Sequence, residues 1–142
     1  GADNDREVRS AALTASWSLA EEKTNARSMW SDTKWRSALV DAAHSEDNST
    51  QEFATATLWN LATASTNRVS MWEDAPTREA LVARATDERQ MAKKPRVFAL
   101  AALQELTIAP SNRGAIWASS DGARSAFFQA ALAEDPKARA FG

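Results

Sequence analysis

The stretch QEFATATLWNLATASTNRVSMWEDAPTREALVARATD, Gln51 to Asp87, recurs on either side of itself. Moved back by 42 positions, Trp59, Leu61, Ala62, Asn67, Met71, Trp72, Asp74, Arg78, Ala80, Leu81 and Val82 all fall on identical residues between Trp17 and Val40. Moved forward by 45, Phe53, Ala54, Ala56, Leu58, Leu61, Asn67, Arg68 and Trp72 fall on Phe98, Ala99, Ala101, Leu103, Leu106, Asn112, Arg113 and Trp117. One extra residue is needed beyond Trp117, after which ARSAFFQAA (Ala123 to Ala131) answers WRSALVDAA (Trp35 to Ala43). A period of this length belongs to two- and three-helix solenoid repeats and also to propeller blades. The pattern inside the unit has to choose between them.

That pattern is helical. Ala54, Thr57, Leu58, Leu61 and Ser65 recur at steps of three and four, on one stripe of a helix, in a segment rich in Ala and poor in β-branched aliphatics. Blades would need short alternating strands with Gly turns, whereas the chain holds 4 Gly and no Tyr. Ser49-Thr50-Gln51-Glu52 has the Ser-x-x-Glu form of a capping box and marks the start of the segment. Asn67 reads as the cap of a short helix, Arg68 to Glu73, because an Asn side chain accepts from the free amides of a first turn. Pro76, tolerated in a first turn and not later, opens a third helix that carries Ala80, Leu81 and Ala85 inward. The expected fold is all-α, with a unit of long, short and medium helix used three times.

With these residues in place, the chain resembles the armadillo-repeat family, which shares much with HEAT-like solenoids. LWNLA (Leu58 to Ala62), the Asn67 after it and ALV (Ala80 to Val82) resemble that family's long third helix, its capping Asn and the hydrophobic signature of its second helix. The resemblance implies a right-handed α-α superhelix of three three-helix repeats, approximately 8–48, 49–91 and 92–134, within one domain spanning 8–142. Residues 135–142 would begin a further helix and 1–7 would be a frayed N-terminus. It also implies that the long helices line a concave surface, where a signature Asn pairs with the backbone of an extended peptide. Asn60 matches that Asn; Ser18 and Glu105 take the equivalent places, and Ala56 stands where the family has Trp. Asp32 and Asp74 occupy turns where the family usually has Gly.

Elsewhere the unit predicts a first long helix from Asp5 to Glu22 with Ala12, Ala15, Ser16 and Leu19 inward. Thr24 and Asn25 would cap the short helix that carries Met29 and Trp30. Thr33 would open the next helix, with Leu39 and Ala43 inward. Glu88 to Pro95 is an insertion with the basic cluster Lys93, Lys94 and Arg96, which reads as a solvated loop. The third unit should place Ala99, Ala102, Leu103 and Leu106 inward, use Ser111 as a cap, and then bury Phe127, Ala131 and Leu132. Asp135-Pro136 reads as a helix start, and Phe141 corresponds to Phe53. An array cut at a long helix on both sides would show apolar end faces, so a longer array or a multi-subunit assembly is expected.

The chain has 142 residues, 44% hydrophobic and 25% charged, the composition of a soluble globular body, intracellular or otherwise. Its 17 basic and 19 acidic residues give a net charge of −2, which sets up no field toward nucleic acid or an anionic membrane. No run of apolar residues is long enough for a spanning helix. Without Cys there is no thiolate ligand or nucleophile. The one His, His44, stands with Glu46 and Asp47 at a helix end, where the dipole favours it. The Gly residues are isolated and form no phosphate loop. Asn48-Ser49-Thr50 fits a glycosylation triplet, but helix capping accounts for the same residues. No catalytic, cofactor-binding or metal-binding residue is expected.

Six Trp are many for this length. Trp30, Trp72 and Trp117 recur in the short helices and read as core wedges. Trp17 and Trp59 differ: at 100° per residue Trp59 shares a face with Glu52, Thr55, Ala56 and Thr63, opposite the apolar stripe. A groove lined by Leu13, Thr14, Trp17, Glu21, Thr55, Trp59, Asn60, Thr63, Leu100, Gln104 and Ile108 is therefore expected, its aromatic and polar character suited to protein. The opposing expectation is that both Trp pack between neighbouring long helices and meet no partner. The function expected is a noncatalytic scaffold or adaptor that binds an extended peptide or the flank of an assembly, through this face and the array ends. The alternative is a nucleic-acid-binding solenoid using Lys93, Lys94, Arg96 and aromatic stacking, against which Glu21, Glu52 and Glu105 stand on the same face.

Overall fold

A computed structural model describes residues 1–120 and 122–133, with the side chains of Ala2 and Asp3 left out. Among the described residues there are helices and no strand, taken below in threes that each begin with the longest. The first triplet is Ala2–Leu19 (α1), Lys23–Ser31 (α2) and Thr33–Ala43 (α3). The second is Asn48–Thr63 (α4), Arg68–Glu73 (α5), preceded by a 3-10 turn at Ser65–Asn67, and Ala75–Ala85 (α6). A 3-10 turn at Gln90–Ala92 leads into Lys93–Leu106 (α7), Pro110–Ala118 (α8) and Ala123–Ala131 (α9). Each long helix packs on the next, α1 on α4 and α4 on α7; the medium helices do the same, α3 on α6 and α6 on α9.

One apolar cluster runs from Ala20 to Ala126 through all three triplets. Its large members, Leu58, Leu61, Met71, Leu81, Leu103 and Leu106, are completely buried, and so are the alanines that let the helices approach, Ala54, Ala62, Ala80, Ala99 and Ala102. The inward stripes expected for the second and third long helices are these residues, with Ser65 the exception: it opens the 3-10 turn and is exposed.

The starts of α3, α4 and α6 are capped by aspartate, and α3 opens at Thr33 as expected. Asp32 accepts from Trp35 N at 3.1 Å; Asp74 accepts from Thr77 N at 3.2 Å and Thr77 Oγ1 at 2.6 Å. α4 begins likewise on Asp47, which accepts from Thr50 N at 3.0 Å and Thr50 Oγ1 at 2.6 Å, so the Ser49 capping box is not used. A carboxylate meets the positive end of the helix as a charge and displaces the weaker hydroxyl acceptor two residues later. The Thr50 hydroxyl bond, set against some desolvation, holds the Asp47 carboxyl below its usual range. Asp32 and Asp74 sit in extended backbone with φ of −79° and −76°, which asks for no glycine. Thr24, Asn25 and Ser111 do not cap either: α2 and α8 already begin at Lys23 and Pro110.

Asn67 has another role. The 3-10 turn runs straight into α5, leaving Asn67 with helical torsions (φ −90°, ψ −20°) in place of the extended geometry of an N-cap. Its Nδ2 donates instead to Leu61 O at 3.0 Å, at the end of α4, and to Ala26 O at 3.1 Å, in the preceding triplet. Asn112 repeats this, donating to Leu106 O at 2.9 Å and Arg68 O at 3.0 Å. Both asparagines are buried, and each ties two triplets together through main-chain carbonyls.

The ends of the stack depart from the expected burial. α1, at the outer edge, has a long-helix neighbour on one side, so Ala12 and Ala15 are exposed and Leu19 is 56% exposed; Ala20 is buried in their stead. At the other end Ala131 and Leu132 are exposed and Phe127 is half-buried, while Ala123 and Ala126 go inward. An inward stripe copied from the middle unit presumes a neighbour on both flanks. The helix start at Asp135-Pro136 and Phe141 lie outside the described residues.

Candidate interaction surface

The long helices α1, α4 and α7 form a layer whose seams are aromatic. Trp17 of α1 meets Phe53 of α4 with ring centroids 6.2 Å apart and planes tilted 56°. Trp59 of α4 stacks on Phe98 of α7 at 5.8 Å and 28°. Both indoles are half-buried, and Trp59 packs against the core cluster. They are thus seam residues between neighbouring long helices, with one part of each ring still open.

Around them the expected groove is partly closed. Thr55 is 0% exposed, its hydroxyl returned to Gln51 O at 2.8 Å, and Ala56 is buried as well. With α1 and α7 on its flanks and α2 and α3 beneath, α4 beyond its first turn keeps a narrow open strip, Glu52, Phe53, Trp59, Asn60 and Thr63. Asn60 spends one amide donor across the seam, on Trp17 O at 3.0 Å. Glu52 faces Lys94 Nζ at 3.8 Å across the other seam. Thr63 donates to Asn60 O at 2.6 Å. Of the remaining groove residues, Thr14, Glu21, Gln104 and Ile108 are exposed, and Leu13 and Leu100 are half-buried. Lys93 and Lys94 belong to the first turn of α7 and not to a loop, and Arg96 is half-buried.

The other face is built on short helices and a paired Arg and Trp. Trp30 is 4% exposed; Arg36 lies 4.4 Å over its ring and donates to its carbonyl at 3.3 Å, and its Nε1 donates to Ser70 Oγ of α5 at 3.0 Å. Trp72, 6% exposed, has Arg78 over it at 5.5 Å, donating to Trp72 O at 2.9 Å. Trp117 has Arg124 over it at 5.2 Å but is 62% exposed, which corrects its reading as a core wedge: α8 closes the described stack, with no following triplet among the described residues to cover the ring. A cavity of about 530 Å³ opens beside Trp72, Arg78 and Val82, where Ala115 and Gly122 provide little bulk. A second, of about 240 Å³, lies at the open end among Ile116, Trp117, Phe127 and Phe128, flanked by Arg113 and Arg124.

Charged groups here act as ties. Arg68 donates to Ala62 O at 2.9 Å, Thr63 O at 3.2 Å and Glu105 Oε2 at 3.1 Å, joining the end of α4 to α7. Asp87 accepts from Arg89 at 2.9 and 2.6 Å; those bonds, against the opposing pull of burial, hold its carboxyl at about 2. His44 is exposed at the end of α3. Among the described residues no cluster of His, Asp and Glu is disposed to hold a metal ion, and no helix is long and apolar enough to cross a membrane. Compared with protein-family models, curated proteins and solved structures, the chain gives no match.

The asparagine ties and the Arg and Trp pairs are what a reading by helical stripe passes over. Their signal was identity: Asn25, Asn67 and Asn112 agree in all three units, as do Arg36, Arg78 and Arg124.

Proposed function

We propose that this chain is a noncatalytic, armadillo-like right-handed α-solenoid of three helix triplets that binds another polypeptide along its long helices, as a scaffold or adaptor. The observation that carries this reading is the pair of half-open Trp and Phe contacts on one layer, set among Glu21, Asn60, Gln104 and Ile108. Rigid aromatic surface beside hydrogen-bonding groups is what protein interfaces concentrate. The packing of α1 on α4, α4 on α7, α3 on α6, α6 on α9 and α5 on α8 supports the solenoid. Protein is favoured over nucleic acid because Lys94 already faces Glu52 and Arg96 is half-buried, so no basic stripe is left free along α7.

The test is selection of displayed random peptides against the intact chain, followed by titration of the selected peptides. Gln104→Arg with Ile108→Arg changes only exposed positions and should weaken their binding about tenfold or more. Equal affinity for that variant would remove the long-helix face from consideration. A single-stranded oligonucleotide that bound instead, with affinity falling steeply in salt, would point to the nucleic-acid reading.

A further inference from the structure

Two interfaces between triplets are already built inside this chain, and the outermost described helices on each side carry the residues of half of another. At the internal junctions, Asn67 donates to Ala26 O and Asn112 to Arg68 O, while Trp30 donates to Ser70 Oγ. By the same register, the counterpart of Asn67 in the first triplet is Asn25, and the counterpart of the accepting Ala26 and Arg68 in the third is Arg113. The counterpart of Ser70 is Ser28, and that of Trp30 is Trp117. Among the described residues Asn25 makes only the bond within its own triplet, to Leu19 O at 3.2 Å. Ser28 is exposed on α2. Leu19 is open to solvent where its counterparts Leu61 and Leu106 are buried, and Trp117 is open where Trp30 and Trp72 are buried.

We propose that a second copy of this chain seats its α1 and α2 face on the α8 and α9 end of the first, with Asn25 donating to the Arg113 carbonyl and Trp117 donating to the Ser28 hydroxyl. The contact is front to back, so it does not close on itself: dimers present the same two ends again and grow into longer rows. It also places Trp117 and the apolar cavity beside it under a helix, as Trp30 is placed under α5. Two features of the internal junctions are not reproduced. The Arg68 to Glu105 ion pair of the second junction has no equivalent for Arg113, as it has none at the first, where Ala26 and Asn60 hold those places; and Gln104 and Ala11 stand where both internal seams have Trp and Phe, so this contact is weaker than the internal ones. The proposal rests on the triplet stacking proposed above and is independent of peptide binding by the long helices.

Sedimentation velocity and light scattering of the intact chain over a wide concentration range test it. The wild type should show a concentration-dependent series of species, not a lone dimer. Trp117→Glu, at the back, and Asn25→Asp, at the front, should each weaken assembly roughly 30-fold or more, the size expected for losing a central anchor. Because each variant spoils a different end, a mixture of the two should form a heterodimer through the intact pair of faces and stop there. Circular dichroism of both variants should match the wild type, since both positions are exposed. A wild type that stays monomeric throughout, a dimer that does not extend, or two variants that assemble as before would each overturn the proposal. Small-angle scattering of the monomeric species separates the two levels: an elongated particle keeps the stack and sinks only the end-to-end contact, whereas a compact one sinks the stack itself.

Discussion

Replacing Asn67 by Asp distinguishes a helix cap from a tie between triplets more sharply than any deletion. As a cap, Asp serves about as well as Asn, and the substitution would change stability by no more than a few tenths of a kcal/mol. As a tie, what matters is the amide N–H pair, which reaches Leu61 O at 3.0 Å and Ala26 O at 3.1 Å from a side chain that is 2% exposed. Asn67→Ala loses both bonds, each worth about 0.5–1.5 kcal/mol net, so a loss of about 2 kcal/mol is expected. Asn67→Asp also turns a carboxylate toward two carbonyl oxygens in a closed space, and should cost about 4 kcal/mol or more unless the acid takes up a proton. For a chain of this size that is a fall in Tm of roughly 6 °C for Ala and at least twice that for Asp. Asn25→Ala is the control: exposed, with a single 3.2 Å bond, it should cost about 0.5 kcal/mol. Urea and thermal unfolding followed by circular dichroism at neutral pH measure all three. Asn67→Asp as stable as the wild type, or Asn67→Ala no worse than Asn25→Ala, would refute the tie.

Three further outcomes follow from the same geometry. Trp72→Ala should lose about 3–5 kcal/mol by unfolding titration, Trp59→Ala an intermediate amount and Trp117→Ala under about 1, because the rings run from buried to half-buried to exposed in that order. Equal losses at Trp59 and Trp72 would deny the seam position any open surface. A double-mutant cycle on Arg68→Met and Glu105→Gln should give a coupling of about 1 kcal/mol that shrinks in high salt; zero coupling would make the 3.1 Å contact incidental. Asp87 is held at about 2 by Arg89, below an ordinary carboxyl, so its contribution is fully present above the unfolded value near 4 and is lost as pH falls toward 2. Asp87→Asn should lower stability at neutral pH, converge with the wild type near pH 2 and so flatten the acid limb between; an unchanged acid limb would rule the contribution out.

How far the sequence could be read depended on whether a residue's surroundings recur. Leu58, Leu61, Leu81 and Leu103 were legible because a stripe at helical spacing needs only its own helix and a covered flank, and the middle of the stack provides both. Leu19 and Trp117 were not, since identity with Leu61 and Trp72 says nothing about whether a neighbour follows. Thr55 was placed on the open face by a wheel that counts one buried side, whereas α4 is flanked on two. Ser49 and Asn67 were read from cap preferences, which rank residue types but do not know that Asp47 stands two residues earlier or that a 3-10 turn feeds α5. The half-open seam of Trp59 on Phe98 lay between those limits: its helix and face were legible, its partner was not.

The ties made by Asn67 and Asn112 end on peptide oxygens, which every residue type provides alike. A junction of that kind places little demand on which side chains stand opposite, so units joined by it can be duplicated, exchanged or dropped without their neighbours changing in step. The short insertion before Lys93 illustrates the tolerance: the register lengthens there from 42 to 45 positions, and the Asn112 bond forms at the same distance to within 0.1 Å.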